Sequence, residues 1–371
     1  MSPGPGRRGI LARGLLVMAG LGLGILAAEG VARLVEPPVG GDFLLPIASL
    51  GVPQGLYRPH PRLRSEPTPG FEGVVRSVGQ AVPVRINSLG CRGPEPAGTG
   101  HRWVALGDSF TIALQVPEER SFPVLLGQAL GQDVLNCGVD GYSTWQALER
   151  YRLVDDDAGS DRVLLTFFLG NDLADNARAA ALQGSQRAPA APPEPARSSA
   201  LVRWLITHSY LYGYGQLAAA RLALRDPDAS ERQRLAEELG IFAGEGQQRL
   251  QQHLSETGRA LAALRDEANS RGDTLMVALA PPVFAVDERR AGPTLRMVGL
   301  EDADPDAPRL ALLQLLEQQG LASCDLTPSL RAATTHGAHP YLLLDGHWSA
   351  RGHEVVAAAI EGCAREAGLA D

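Results

Sequence analysis

Arg102-Trp103-Val104-Ala105-Leu106 runs without interruption into Gly107-Asp108-Ser109-Phe110, and the fold turns on how that stretch is read. An apolar run this short, closed by glycine, suits a strand buried on both faces of a sheet. Gly107 allows the tight turn because it carries no Cβ. Ser109 then stands at the carboxyl edge, where open α/β sheets bind their ligands. Gly-Asp-Ser is also ordinary turn chemistry. The string gains meaning only from the rest of the chain.

From residue 101 onward strand and helix alternate. Strands are expected at Arg102–Leu106, Val134–Cys137, Arg162–Leu169, Thr274–Ala280 and Ala322–Leu326. Helices are expected around Phe122–Leu130, Thr144–Val154, Pro308–Gln319 and Ala350–Ala367. Such alternation predicts a doubly wound parallel sheet with helices on both faces. A long interruption follows the third strand. It holds an Ala/Pro/Ser-rich loop (184–199), an aromatic stretch with Trp204, Tyr210, Tyr212 and Tyr214, and amphipathic segments over Ser230–Leu239 and Gln247–Ser270. The last of these is expected to cover the sheet.

Four pieces fall at strand ends or before a helix: Ser109, Gly138, Gly170-Asn171-Asp172 and Asp345-Gly346-His347. Acyl transfer needs a nucleophile, a base for its proton and a carboxylate that fixes the base's tautomer. Ser109, His347 and Asp345 can fill those roles. It also needs donors aimed at the developing oxyanion. The N–H groups of Ser109 and Gly138 and the amide of Asn171 are the candidates. Each piece has a plainer reading: Gly138 as a turn residue, Asn171 or Asp172 as a helix cap, Asp345 likewise. Asp172 is assigned no chemistry, His353 is read as packing or surface, and His336 and His339 are weak alternatives for the base.

The chain has 371 residues, 44% hydrophobic and 20% charged, with a formal net charge of -8. That composition is globular and argues against a nucleic-acid partner. All of its cations are arginine. Arg7, Arg8 and Arg13 precede the uncharged run Gly14–Ala28, short of the roughly 20 residues a bilayer span needs. With Arg13 snorkelling, residues 10–35 are long enough, and the positive end stays in the cytoplasm. A cleaved signal peptide is the competing reading. Residues 1–9 are then a cytoplasmic tail, and 36–100 a Pro/Gly-rich stalk with a small β element at Gly73–Ser77 and Ala81–Ile86. Residues 101–371 form the main domain, with a helical insertion at about 176–272. Cys91, Cys137, Cys324 and Cys363 show no metal-ligand spacing. Disulfides and buried thiols are both open, with a disulfide at Cys137 disfavoured.

The set Gly107-Asp108-Ser109, Gly138, Gly170-Asn171-Asp172 and Asp345-Gly346-His347 resembles the four blocks of the SGNH hydrolase superfamily, the GDSL esterases and lipases. The resemblance covers about residues 101–368. It implies a flavodoxin-like three-layer α/β/α sandwich and a serine esterase without metal or organic cofactor. Ser109 would be nucleophile and oxyanion donor, Gly138 and Asn171 would complete the oxyanion hole, and Asp345 and His347 the triad. Ile86-Asn87-Ser88-Leu89-Gly90-Cys91-Arg92-Gly93 looks like a lead-in of membrane-anchored bacterial members. The expected setting is the bacterial cell envelope, tethered to the inner membrane, with the domain on the extracytoplasmic side; secretion after cleavage is the alternative. The expected substrate is an ester, on an acylated glycan or a lipid. An O-acyltransferase would use the same triad, although relatives in polysaccharide acetylation usually carry Asp-x-His ahead of the serine block. A non-catalytic glycan-binding or scaffold protein is the third reading.

Overall fold

The computed structural model describes residues 5–35, 52–77, 79–96, 102–184, 199–223, 239–242, 246–291, 303–335 and 338–370. Part of the expected stalk (36–51), the loop 185–198 and the helix expected over 230–238 lie outside the described residues.

The chain opens with helix α1 (Pro5–Leu34). Its stretch Gly9–Leu34 has mean hydropathy 2.1 and is a candidate membrane span by length and composition. Two antiparallel hairpins follow: β1 (Tyr57–His60) with β2 (Arg64–Pro67), and β3 (Glu72–Ser77) with β4 (Gln80–Arg85). From residue 52 the segment expected as a stalk with a small β element at Gly73–Ser77 and Ala81–Ile86 holds that element as β3 and β4, and a second hairpin, β1 and β2, before it. Its Leu56, Val75, Val82, Val84 and Ile86 pack around Ile112 and Leu114 of the main domain. Strands this short are stable only with such a shared core.

The main domain continues with β5 (Arg102–Gly107), α2 (Ser109–Ile112), α3 (Phe122–Leu130), β6 (Asp133–Asn136), α4 (Thr144–Ala158), β7 (Arg162–Phe168) and α5 (Asp172–Gly184). Two helices, α6 (Ala200–His208) and α7 (Tyr210–Ala223), occupy the interruption. Helix α8 (Gln247–Arg271) returns the chain to β8 (Thr274–Ala280), followed by α9 (Val283–Val286), α10 (Ala307–Gln318), β9 (Ala322–Asp325), α11 (Thr327–Thr334) and α12 (Ala350–Glu366).

The five strands β5 to β9 form one parallel sheet in the order β6-β5-β7-β8-β9. That is the flavodoxin-like winding, whose chain reverses direction between β5 and β7. The strands alternate between two cores. Val104, Leu106, Val163, Leu165, Val277 and Leu279 face α4, α8 and α10. Trp103, Leu164, Met276 and Ala278 face α3, α11 and α12. Period-2 alternation with both faces apolar gives the three-layer sandwich. Local signals agree with it. Ser143 and Gln146 form a reciprocal cap at the start of α4, the Ser-x-x-Gln arrangement that satisfies otherwise unpaired amides. The switch point puts the end of β5, and hence Ser109, at the natural ligand crevice.

Candidate active site

Gly107 closes β5 at φ +140. A Cβ built there would lie 2.4 Å from Thr111 Oγ1 and 2.6 Å from the Thr166 carbonyl oxygen. Only glycine lets the chain turn there. Asp108 caps the next helix by accepting from Phe110 N–H at 2.9 Å. Ser109 is half-buried between them.

His347 reaches it from a loop 238 residues away, its Nε2 2.8 Å from Ser109 Oγ. Its Nδ1 lies 2.5 Å from Asp345 Oδ1. The loop is a compact turn: Asp345 N–H and Gly346 N–H donate to the Leu342 carbonyl, and Leu342 N–H to that of His347. Ser349 then caps α12 through Gly352 N–H at 3.2 Å. Aromatic neighbours surround the hydrogen-bonded pair Ser109 and His347. Phe110 stacks on Phe168 at 4.2 Å and meets the fully buried Trp348 edge-on at 4.8 Å. Such aromatic pairs fix geometry beyond the area they bury.

Gly138 packs against Thr111 and Ile112, where a Cβ would come within 2.6 Å of the Ile112 nitrogen. Its N–H donates to Asn136 Oδ1 at 3.3 Å. Asn171 lies just past β7, and its amide donates to Asp175 Oδ2 at 2.8 Å. Both groups therefore sit at the strand ends flanking Ser109, with their amides engaged inside the protein. Asp172 accepts from Phe168 N–H at 2.9 Å across the start of α5.

Beside the motif carboxyl groups Asp108 and Asp172 the site holds Asp140, which no motif contains. Burial raises Asp108 to about 7, with the hydrogen bond from Phe110 and the charge of His347 opposing it. Asp172 lies well above the ordinary carboxyl range, because of burial and then the charge of Asp108. Asp140, in the turn after Gly138, accepts from Tyr57 Oη at 2.7 Å and is also raised by burial. Sequence reading missed this pair, since Tyr57 lies 83 residues upstream with no local pattern to link them. For His347, burial disfavours the charged ring. The charge and hydrogen bond of Asp345 and the charges of Asp108 and Asp140 outweigh it, so its pKa lies above 6.5. A base must be neutral to accept a proton, so if His347 serves as one, activity is expected to fall as pH drops through that raised value. The acid limb of kcat/KM is expected above pH 6.5, and Asp140→Asn should move it down. An unmoved limb would show that Asp140 does not act on the imidazole.

The hairpin unit is riveted to this site. Cys91 and Cys137 form a disulfide, as do Cys324 and Cys363. The first corrects the expectation that Cys137 stays unpaired: Arg92 N–H donates to the Asn136 carbonyl at 2.7 Å, which lays residues 91–92 alongside the end of β6. Arg92, itself buried, donates to the carbonyls of Ile112 at 2.8 Å, Val116 at 2.7 Å and Ala113. A cation at the last turn of α2 satisfies carbonyls the helix leaves unpaired. The segment Ile86–Gly93 is thus a brace for the Ser109 helix.

Of the other histidines, His353 is buried and accepts from Phe122 N–H at 3.2 Å. Burial takes its pKa down to about 3, a packing role. His339 accepts from Tyr341 N–H at 3.1 Å, and His336 lies outside the described residues. Among the described residues, no group of three or more His, Cys, Asp or Glu is placed to hold a metal ion.

The family model described as "SGNH hydrolase-like domain, acetyltransferase AlgX" matches residues 241–370, which include the Asp345–His347 block but not Ser109. No curated protein matches the chain significantly. Similar solved structures include a member of the lipolytic protein G-D-S-L family from Veillonella parvula DSM 2008, 15% identical, covering 72% of this chain and 97% of that one with TM-score 0.37. Another is a catalytic mutant of an acetylxylan esterase from Geobacillus stearothermophilus, 14% identical, covering 74% of this chain and 97% of that one with TM-score 0.39. The matched model over residues 241–370 and the flavodoxin-like sheet order support the SGNH superfamily for this α/β domain.

Proposed function

We infer that the protein is an exported serine esterase that cleaves carboxylic esters through acyl-Ser109, with O-acetyl groups on envelope or extracellular glycans as its substrates. One observation carries the reading: a single hydrogen-bonded line from Ser109 Oγ through His347 to Asp345. In this scheme His347 takes the Ser109 proton as the oxygen attacks the ester carbonyl, then returns it to the departing alkoxide. Asp345 holds the Nδ1–H tautomer and stabilises the imidazolium. The N–H groups of Ser109 and Gly138 and the Asn171 amide receive the oxyanion. For that, Gly138 N–H exchanges its long bond to Asn136 for the substrate, and Asn171 offers the second hydrogen of its amide. Water activated by His347 then releases the acyl group. Helix α1 would tether the domain outside the inner membrane, in keeping with the arginines before its apolar run.

A second reading, transfer of the acyl group to a sugar hydroxyl, is supported by the acetyltransferase description of the family model over residues 241–370. Both readings share the acyl-enzyme and differ in the acceptor. The test is product analysis with an O-acetylated oligosaccharide as donor and an unacetylated one as acceptor. Free acetate as the product, unchanged by acceptor, is expected. Acetylated acceptor in place of acetate would establish the transferase, and Ser109-independent release of acetate would overturn both.

A further inference from the structure

Helices α6 and α7 meet the last turns of α1 through a specific set of bonds. Glu29 accepts from Ser209 Oγ at 2.9 Å, Tyr210 N–H at 2.8 Å and Leu211 N–H at 3.1 Å, which caps the start of α7 with a carboxylate. Arg33 donates to the His208 carbonyl at 2.7 Å, at the end of α6, and its guanidinium lies 5.1 Å from the Tyr210 ring centre. Tyr214 Oη donates to the Val35 carbonyl at 2.5 Å. Each charge complements the helix end it touches. The turn between α6 and α7 is therefore fixed at the end of the candidate membrane span.

The outward faces of these helices are apolar. Outside α1 and Val35, the exposed large apolar side chains among the described residues are Leu153, Leu201, Trp204, Leu222 and Leu310, and three of these five lie on α6 and α7. Leu201, Trp204 and His208 follow one another at helical spacing, with Trp204 stacked on His208 at 5.1 Å. On α7 the positions in register with exposed Leu222 are the exposed Gly215, Ala218 and Ala219. Tryptophan beside arginine and histidine, on a helix with one apolar face, is the chemistry of the headgroup layer. The opposite faces are satisfied: Ile206 and Leu217 are buried, and the Ile206 carbonyl accepts from Gly79 N–H at 3.3 Å at the tip of the β3–β4 hairpin.

We propose that α6 and α7 form a platform that lies in the headgroup layer of the membrane crossed by α1, with Leu201, Trp204 and Leu222 inserted among the lipids. The occupant is lipid because the apolar faces continue from the point where α1 meets the domain. A net charge of -8 makes the contact hydrophobic rather than electrostatic, so zwitterionic lipid suffices. The β3–β4 hairpin then carries the position of the membrane to Ile112 and Leu114, just beyond Ser109. This inference rests on α1 being a membrane span and is independent of the esterase reading.

The test is tryptophan quenching in the full-length chain reconstituted into phosphatidylcholine vesicles, with and without bromine on the acyl chains. Trp103 and Trp348 are fully buried and Trp145 is packed on the core, so the emission lost in Trp204→Phe reports Trp204. That difference is expected to fall by about twofold or more in brominated vesicles. Protein that floats with the vesicles while the Trp204 emission ignores bromine overturns the platform and leaves the span intact. Protein that does not float overturns both. Emission insensitive to bromine but altered by a soluble acetylated oligosaccharide overturns the lipid assignment in favour of a glycan surface.

Discussion

Ser109→Ala is expected to lower kcat on an activated acetyl ester by about a million-fold while the protein stays folded. Folding survives because Ser109 is half-buried and its hydroxyl's contact in the site is the one with His347. His347→Ala should cost a similar factor, and the double variant no more than either single one, because a nucleophile without its base is already idle. Asp345→Asn should cost about 10⁴-fold, since it leaves the ring in place but in the wrong tautomer. Turnover of the p-nitrophenyl acetate type, with circular dichroism on each variant, measures all four. A folded Ser109→Ala protein that keeps more than about one per cent of wild-type turnover would remove Ser109 from the chemistry. Factors that multiply in the double variant would mean that the two residues do not act as a unit.

The parts legible in the sequence are those whose signal is local. Arg102–Leu106, Arg162–Leu169 and Thr274–Ala280 are apolar on both faces, and each becomes an inner strand of the sheet. Strand ends can be counted from such runs, so the sequence places Ser109 and Asn171 at one edge. Asp345 and His347 were visible because two residues of spacing fit one turn, and because Ser349 and the amphipathic helix after it mark where that turn must stop.

What stayed hidden depends on pairs with no sequence relation. Tyr57 and Asp140, Glu29 and Tyr210, and Cys91 and Cys137 meet only once the hairpins are folded onto the domain. Four cysteines allow three pairings, and spacing favours none of them. The Pro/Gly-rich composition of residues 36–100 reads as a stalk with one small β element at Gly73–Ser77 and Ala81–Ile86, and the Tyr57–Pro67 hairpin is not among the expected strands, since short strands with few alternating positions carry a weak periodic signal. Their stability comes from Ile112 and Leu114, which belong to another part of the chain. Asp108 reads as turn chemistry in sequence, and its raised pKa of about 7 follows first from burial and then from the charges of Asp140 and Asp175.

Loss of the Cys91–Cys137 disulfide is expected to damage stability and catalysis together, whereas loss of Cys324–Cys363 damages stability alone. The two bridges span 46 and 39 residues. By the chain-entropy account each constrains the unfolded chain by about 4 kcal/mol, or about 10 °C in Tm for a domain of this size. Their surroundings differ. Cys137 directly precedes Gly138, which is wedged against Thr111 and Ile112, and Cys91 directly precedes Arg92, which holds the carbonyls after Ser109. Freeing that bridge is expected to loosen the proposed oxyanion donor and the helix of the proposed nucleophile at once, and removal of one such donor costs about 10²-fold or more in kcat. Cys363 lies near the far end of α12, about 20 Å along the helix from Ala350. Cys91→Ala/Cys137→Ala should therefore lose at least about tenfold in kcat per folded molecule, and Cys324→Ala/Cys363→Ala should keep kcat within about twofold at a matched loss of Tm. Thermal melts and active-site titration on the two double variants give both numbers. Equal losses of kcat would mean that the bridges act only through global stability, and full kcat in the first variant would free the Gly138 loop from any dependence on the hairpin unit.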